Sequence, residues 1–144
     1  MNDVLREWIE KADGDFVTAN REFAVADHPN HDAVCFHAQQ CIEKLLKAVI
    51  IAQGITPPKT HDLAQLHRLL ATTQIAWAPK VQDLNFLTRA AVDFRYPGES
   101  ADQDEAKESI AICTQLRSEL LALLPKCEPP QKEDGNQREV RDAQ

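Results

Sequence analysis

Residues Val34 to Ala52 read VCFHAQQCIEKLLKAVIIA, and this stretch decides the fold. Apolar side chains recur at helical steps: Val34, Ala38, Cys41, Ile42, Leu45 and Val49. The alternation of a half-buried strand is absent. The spacing predicts a helix from about Asp32 to Gln53, capped by Asn30 and stopped at Gly54. From Leu45 to Ala52 it is apolar nearly all round, which predicts a central helix with neighbours on every side. A helical wheel sets Phe36, His37, Gln40, Glu43, Lys44 and Lys47 opposite the core face. An aromatic ring, an imidazole, an amide and two ammonium groups on one strip suit contact with a phosphate or a base. The strip also reads as a solvated face, with Glu43 and Lys47 paired one turn apart and Phe36 at a dimer contact.

The prolines at 29, 57, 58, 79, 97, 125, 129 and 130 mark out the other elements, since proline inside a helix costs about 3 kcal/mol. A first helix is expected from about Asp3 to Asp27. Its stripe is Leu5, Trp8, Ile9, Ala12, Phe16, Ala19 and Phe23. A short third helix, about His61 to Thr72, follows Thr60 as its cap and presents Leu63, Leu66, Leu69 and Leu70. A fourth runs from about Pro79, a residue suited to the first helical position, to Arg95. Ser100-Ala-Asp-Gln103 has a capping-box pattern. The fifth helix then runs to about Leu124, with Ala106, Ile110, Cys113, Leu116, Leu120 and Leu124 inward. No segment reads as a strand. The expected fold is all-α, an antiparallel up-and-down bundle of five helices, four long and one short. Residues 1–125 form that domain, and the polar tail 126–144 is expected to be disordered.

A chain of 144 residues suffices for one domain with its own core. Aromatics are only 6% of it, so Leu, Ile, Val and Ala must fill the interior. The net charge is −7, from 16 basic and 23 acidic side chains. That balance argues against broad, non-specific nucleic-acid binding, which needs a basic field; it leaves room for a local basic site. The tail holds four basic and five acidic residues, so the body keeps 12 against 18. No apolar run approaches the roughly 20 residues of a membrane span. The N-terminus lacks the basic start and apolar stretch of a signal peptide, which points to the cytoplasm. Cys35, Cys41, Cys113 and Cys127 have neither C-x-x-C nor metal-ligand spacing and read as reduced thiols. His28, His31 and His37 lack matching ligands, so no metal is expected. No cofactor is expected either: there is no Gly-rich phosphate loop and no nucleophile elbow. Arg117 falls on the apolar stripe of the fifth helix. It requires a carboxylate partner or an interface.

Gln39-Gln40-Cys41-Ile42-Glu43-Lys44-Leu45-Leu46-Lys47-Ala48 resembles the Q-Q-x-x-E-K-x-L-K-A signature of HEPN domains. These are small helical domains named for their occurrence in higher eukaryotes and prokaryotes and for nucleotide binding. Thr60-His61-Asp62-Leu63, with Leu66 following, resembles the family's T-H-D-L-x-x-L segment. Phe94-Arg95-Tyr96-Pro97 resembles its R-Y-P end of the fourth helix. The resemblance covers about residues 3–124. It implies a helical bundle, usually a homodimer. Many such proteins are encoded beside a minimal nucleotidyltransferase, as two-component or toxin–antitoxin modules.

Active members of the family are metal-independent ribonucleases carrying an Arg, four to six other residues, then a His. Arg stabilises charge developing on a phosphate, and His moves a proton near neutral pH. In the variant R-x4-H-x-Y, Arg89 takes the Arg place and Tyr96 the Tyr place, but Phe94 stands where the His belongs. A phenyl ring transfers no proton, so ribonuclease activity through this motif is expected to be weak or absent. Arg89 remains the one catalytic candidate. Arg89, Arg95, Tyr96, Lys44, Lys47 and His37 are the candidate phosphate or nucleotide contacts. Tyr96 is the candidate acceptor of a nucleotidyl group. Arg89 and Asp93, four apart, also read as a simple helical pair. Three functions follow: a degenerate nucleotide- or RNA-contacting protein with a nucleotidyltransferase partner, a ribonuclease toxin using other groups, or a dimeric interaction module that binds no nucleotide.

Overall fold

The computed structural model describes residues 2–93 and 96–126. Five helices follow one another: α1 Asp3–Phe23, α2 His31–Ala52, α3 Leu63–Leu70, α4 Val81–Asp93 and α5 Gln103–Leu123. No strand occurs among the described residues. Helix α2 touches each of the other four. Ile42, Leu45, Leu46, Val49 and Ile50 on it are fully buried, with Leu63, Leu66, Leu84, Leu87, Leu116 and Leu120 around them. The all-round apolar pattern is thus a buried centre over residues 45–50, as the sequence predicts, while Ile51 and Ala52 at the helix end are only partly buried.

Cross-helix bonds fix the directions. Glu22 accepts from the Asn30 N–H, while Asp15 meets His37 and Lys44, so α1 and α2 run antiparallel. Asp32 accepts from the Ala101 N–H at 2.6 Å and Ser109 donates to Cys35, so α2 and α5 run the same way. Arg117 Nη2 on α5 reaches Asp13 on α1 at 3.1 Å, and its guanidinium lies 4.3 Å over the Phe16 ring. This is the carboxylate partner that its place on the apolar stripe demands.

Several helix ends differ from expectation, each for a local reason. Helix α1 stops at Phe23, short of Asp27. Pro29 bars the helical conformation at His28, which has φ 56. The chain then turns back to the Glu22 carboxylate. Asn30 caps α2 as expected, accepting from the Ala33 N–H. The cap of α3 is Asp62 rather than Thr60: its carboxylate accepts from the Ala64 and Gln65 N–H groups. Thr60 instead accepts from the Asp62 N–H, a turn that leaves His61 outside the helix. Helix α4 begins at Val81, because the Lys80 carbonyl, not one before Pro79, accepts its first bonds. The capping box of α5 is Asp102 with Glu105, two residues beyond Ser100. A carboxylate at that end also suits the helix dipole. Arg95, the expected end of α4, and the tail from 127 lie outside the described residues.

Candidate functional site

Two buried carboxylates organise the polar side of α2. The first is Asp15 of α1. Its Oδ1 is 2.7 Å from His37 Nδ1, and its Oδ2 holds Lys44 Nζ at 2.5 Å. The cationic charge of Lys44 is therefore committed to Asp15, and His37 is turned toward α1. The Phe36 ring packs edge-on against His37, with centroids 5.2 Å apart.

The second carboxylate is Glu43, only 4% exposed. Its Oε1 accepts from Gln39 Nε2 at 3.1 Å and Gln40 Nε2 at 3.2 Å, and lies 2.9 Å from His61 Nδ1. Its Oε2 accepts from Lys47 Nζ at 2.9 Å. Burial by itself would raise this carboxyl. The hydrogen bonds from His61, Lys47 and Gln39 outweigh it and hold Glu43 below its ordinary value. Glu43 is therefore an acceptor only, and the proton it shares with His61 belongs to Nδ1. Gln39 also donates to the His61 carbonyl at 2.9 Å, pinning that backbone.

These contacts revise the surface strip inferred for α2. Glu43 and Lys47 do pair, one turn apart, but they are buried rather than solvated, and Gln39 is buried beside them. The wheel assumed one covered side. The connection carrying His61 covers part of the other, and a wheel cannot see that neighbour. Of the six candidate contacts, Lys44 and Lys47 have their charge matched internally and His37 faces Asp15.

Of the remaining candidates, Arg89 lies on α4 and Tyr96 lies beyond its end. Arg89 is exposed and shares a shallow pocket with Phe86, Ala90, Asp93 and Glu105. No ion pair joins it to Asp93 among the described residues, so the simple helical pair is not formed. Thr88, the residue before it, accepts from the Leu63 N–H at 3.2 Å, which docks the start of α3 on α4. Tyr96 is 61% exposed, and its carbonyl accepts from the Glu99 N–H. Phe94 and Arg95 lie outside the described residues.

Cys35, Cys41 and Cys113 are buried free thiols. A hydrogen bond with Cys113, together with burial, pushes the Cys41 thiol far above its ordinary value, and burial raises Cys35. Such thiols are poor nucleophiles. Among the described residues no helix is long and apolar enough to cross a membrane.

The HEPN domain family model matches residues 5–123. The chain belongs to the HEPN domain family. Its fold is similar to a crystal structure of a protein from Thermus thermophilus, at 22% identity and a TM-score of 0.71, over 85% of this chain and 100% of that one. It is also similar to a crystal structure of an archaeal HEPN homologue, at 22% identity and a TM-score of 0.64, over 82% of this chain and 95% of that one. Among curated proteins none matches. Within this HEPN domain, Asp15 and the pairing of Glu43 with His61 are what sequence reasoning missed. One signal was available: Gln39, Glu43 and Lys47 fall at four-residue steps and form a polar stripe of their own.

Proposed function

We propose that this HEPN protein contacts the phosphate of a nucleotide or RNA through Arg89, and that its α4 motif no longer cleaves. On this reading it acts as a homodimer beside a nucleotidyltransferase partner, in a two-component or toxin–antitoxin module. The observation that carries the reading is the state of Arg89. It holds the Arg place of the family motif, is exposed and has no ion pair among the described residues. Lys44, Lys47 and His37, whose polar groups face Asp15 and Glu43, drop out as primary contacts. Phe94 removes the proton carrier from the motif, so what remains is binding. The exposed Tyr96 phenol supports its role as acceptor. Its oxygen would attack the α-phosphorus of a nucleoside triphosphate bound by the partner, and pyrophosphate would leave.

Thermal unfolding with millimolar ATP, UTP or a short RNA tests the binding. A ligand at 100 times its dissociation constant stabilises by about 2.7 kcal/mol, a shift of several degrees for a domain of this size. The expected shift disappears in Arg89→Ala. No shift with any of the three ligands contradicts the reading. One observation favours the interaction module instead: Asp93 and Glu105 line the Arg89 pocket and repel anions from it. That alternative predicts no ligand shift, and an Arg89→Ala effect on self-association only.

A further inference from the structure

A cavity of about 390 Å³ opens between α1 and α2, lined by Val4, Glu7, Trp8, Lys11 and Lys44. It shares no residue with the Arg89 pocket. Its size falls among small-molecule sites, which hold roughly 300–1,000 Å³. Steps of three and four residues set Val4, Glu7, Trp8 and Lys11 on one face of α1. Trp8 packs partly against the core, and Val4 is 55% exposed. An indole and a valine that the bundle leaves partly open give the cavity an apolar lining, and covering them removes apolar surface from water. The charges at its edge are of both signs. Glu7 and Lys11 are exposed and stand one turn apart, and neither side chain has a hydrogen bond or ion pair among the described residues. Lys44 differs: Asp15 holds its ammonium, so it offers the cavity mainly its apolar stem. An occupant with a single charge would meet Glu7 or Lys11 with the wrong sign. An occupant with an ammonium, a carboxylate and an apolar group matches all three features. Residues four apart on a helix lie about 6 Å apart at Cβ, a span that the two charged groups of an α-amino acid bridge.

We propose that the cavity between α1 and α2 binds a free α-amino acid with an aromatic side chain. The ring covers Val4 and packs on the Trp8 indole, a contact that aromatic pairs favour beyond the area they bury. The ammonium meets the Glu7 carboxylate, and the carboxylate meets the Lys11 ammonium, as charge-assisted hydrogen bonds. The Lys44 stem closes the side toward α2. The site is independent of the phosphate contact at Arg89 and stands or falls without it.

The test is calorimetric titration of the full chain with L-phenylalanine and L-tryptophan. Two further probes, 3-phenylpropionate and 2-phenylethylamine, each keep the ring and lack one charged group. Saturable one-to-one binding of at least one amino acid is expected, with each single-charge probe weaker than L-phenylalanine by about 10-fold or more. Glu7→Gln and Lys11→Gln, both changes at exposed side chains, should each weaken amino-acid binding by about 10-fold or more. The Tm of the unliganded protein should stay unchanged in both, which separates a lost contact from a lost fold. No binding of either amino acid at millimolar concentration overturns the site. So does binding of the single-charge probes as tight as that of L-phenylalanine, or undiminished binding by the two variants.

Discussion

Lys47 Nζ lies 2.9 Å from Glu43 Oε2, and both side chains are inside the bundle. An ion pair there contributes little net stability, because both charges lose their water. Its importance shows when one member is removed. Glu43→Ala leaves the Lys47 ammonium buried without a counter-charge and strips His61 and Gln39 of their acceptor. The expected loss is about 3–5 kcal/mol. Glu43→Leu combined with Lys47→Met should recover most of it. Urea unfolding of the three proteins measures both effects.

The same carboxylate sets an acid limit. Its folded value lies below its ordinary one, so folding favours the ionised form. The stabilisation is whole above the unfolded value, about 4.3, and is lost as pH falls through the lower folded value. Urea unfolding from neutral pH down to about pH 3 should show stability falling more steeply in wild type than in Glu43→Gln.

Arg117 behaves differently from Lys47. Its partner Asp13 is about half exposed, so the ion pair itself is screened and small. The Arg117 Nε is buried without a hydrogen-bond partner, which offsets part of what the Phe16 contact supplies. Arg117→Met keeps the packing and removes the orphaned N–H. Its stability is expected within about 1 kcal/mol of wild type, measured by chemical unfolding.

The N-terminus of α5 rests on the reciprocal bonds of Asp102 and Glu105. Asp102→Ala should cost about 1 kcal/mol. Ser100→Ala, outside the box, should cost less than about 0.5 kcal/mol. The two variants compared by thermal unfolding decide which residue caps the helix.

The helices were legible because their apolar periodicity is strong and proline punctuates it. Residues 45–52 announced a central helix before any neighbour was known. The helix ends were harder, since Thr60 and Asp62 both suit a cap and only the backbone path chooses between them. The polar network was the least legible part. Asp15 meets His37 and Lys44 across helices, with more than twenty residues between them in sequence. Glu43 meets His61, 18 positions on and in the connection before α3. Spacing along one helix carries no record of such a partner. Arg89 and Tyr96 are candidates through the family motif and not through their surroundings.

The central claim is that Arg89 contacts a phosphate. Its most direct test is the dissociation constant of a labelled single-stranded RNA, measured by anisotropy at low salt for wild type and Arg89→Ala. A charged hydrogen bond contributes about 1.5–3 kcal/mol, so Arg89→Ala is expected to weaken binding by roughly 10- to 100-fold. Equal affinity of the two proteins, or no binding by wild type, would contradict the account.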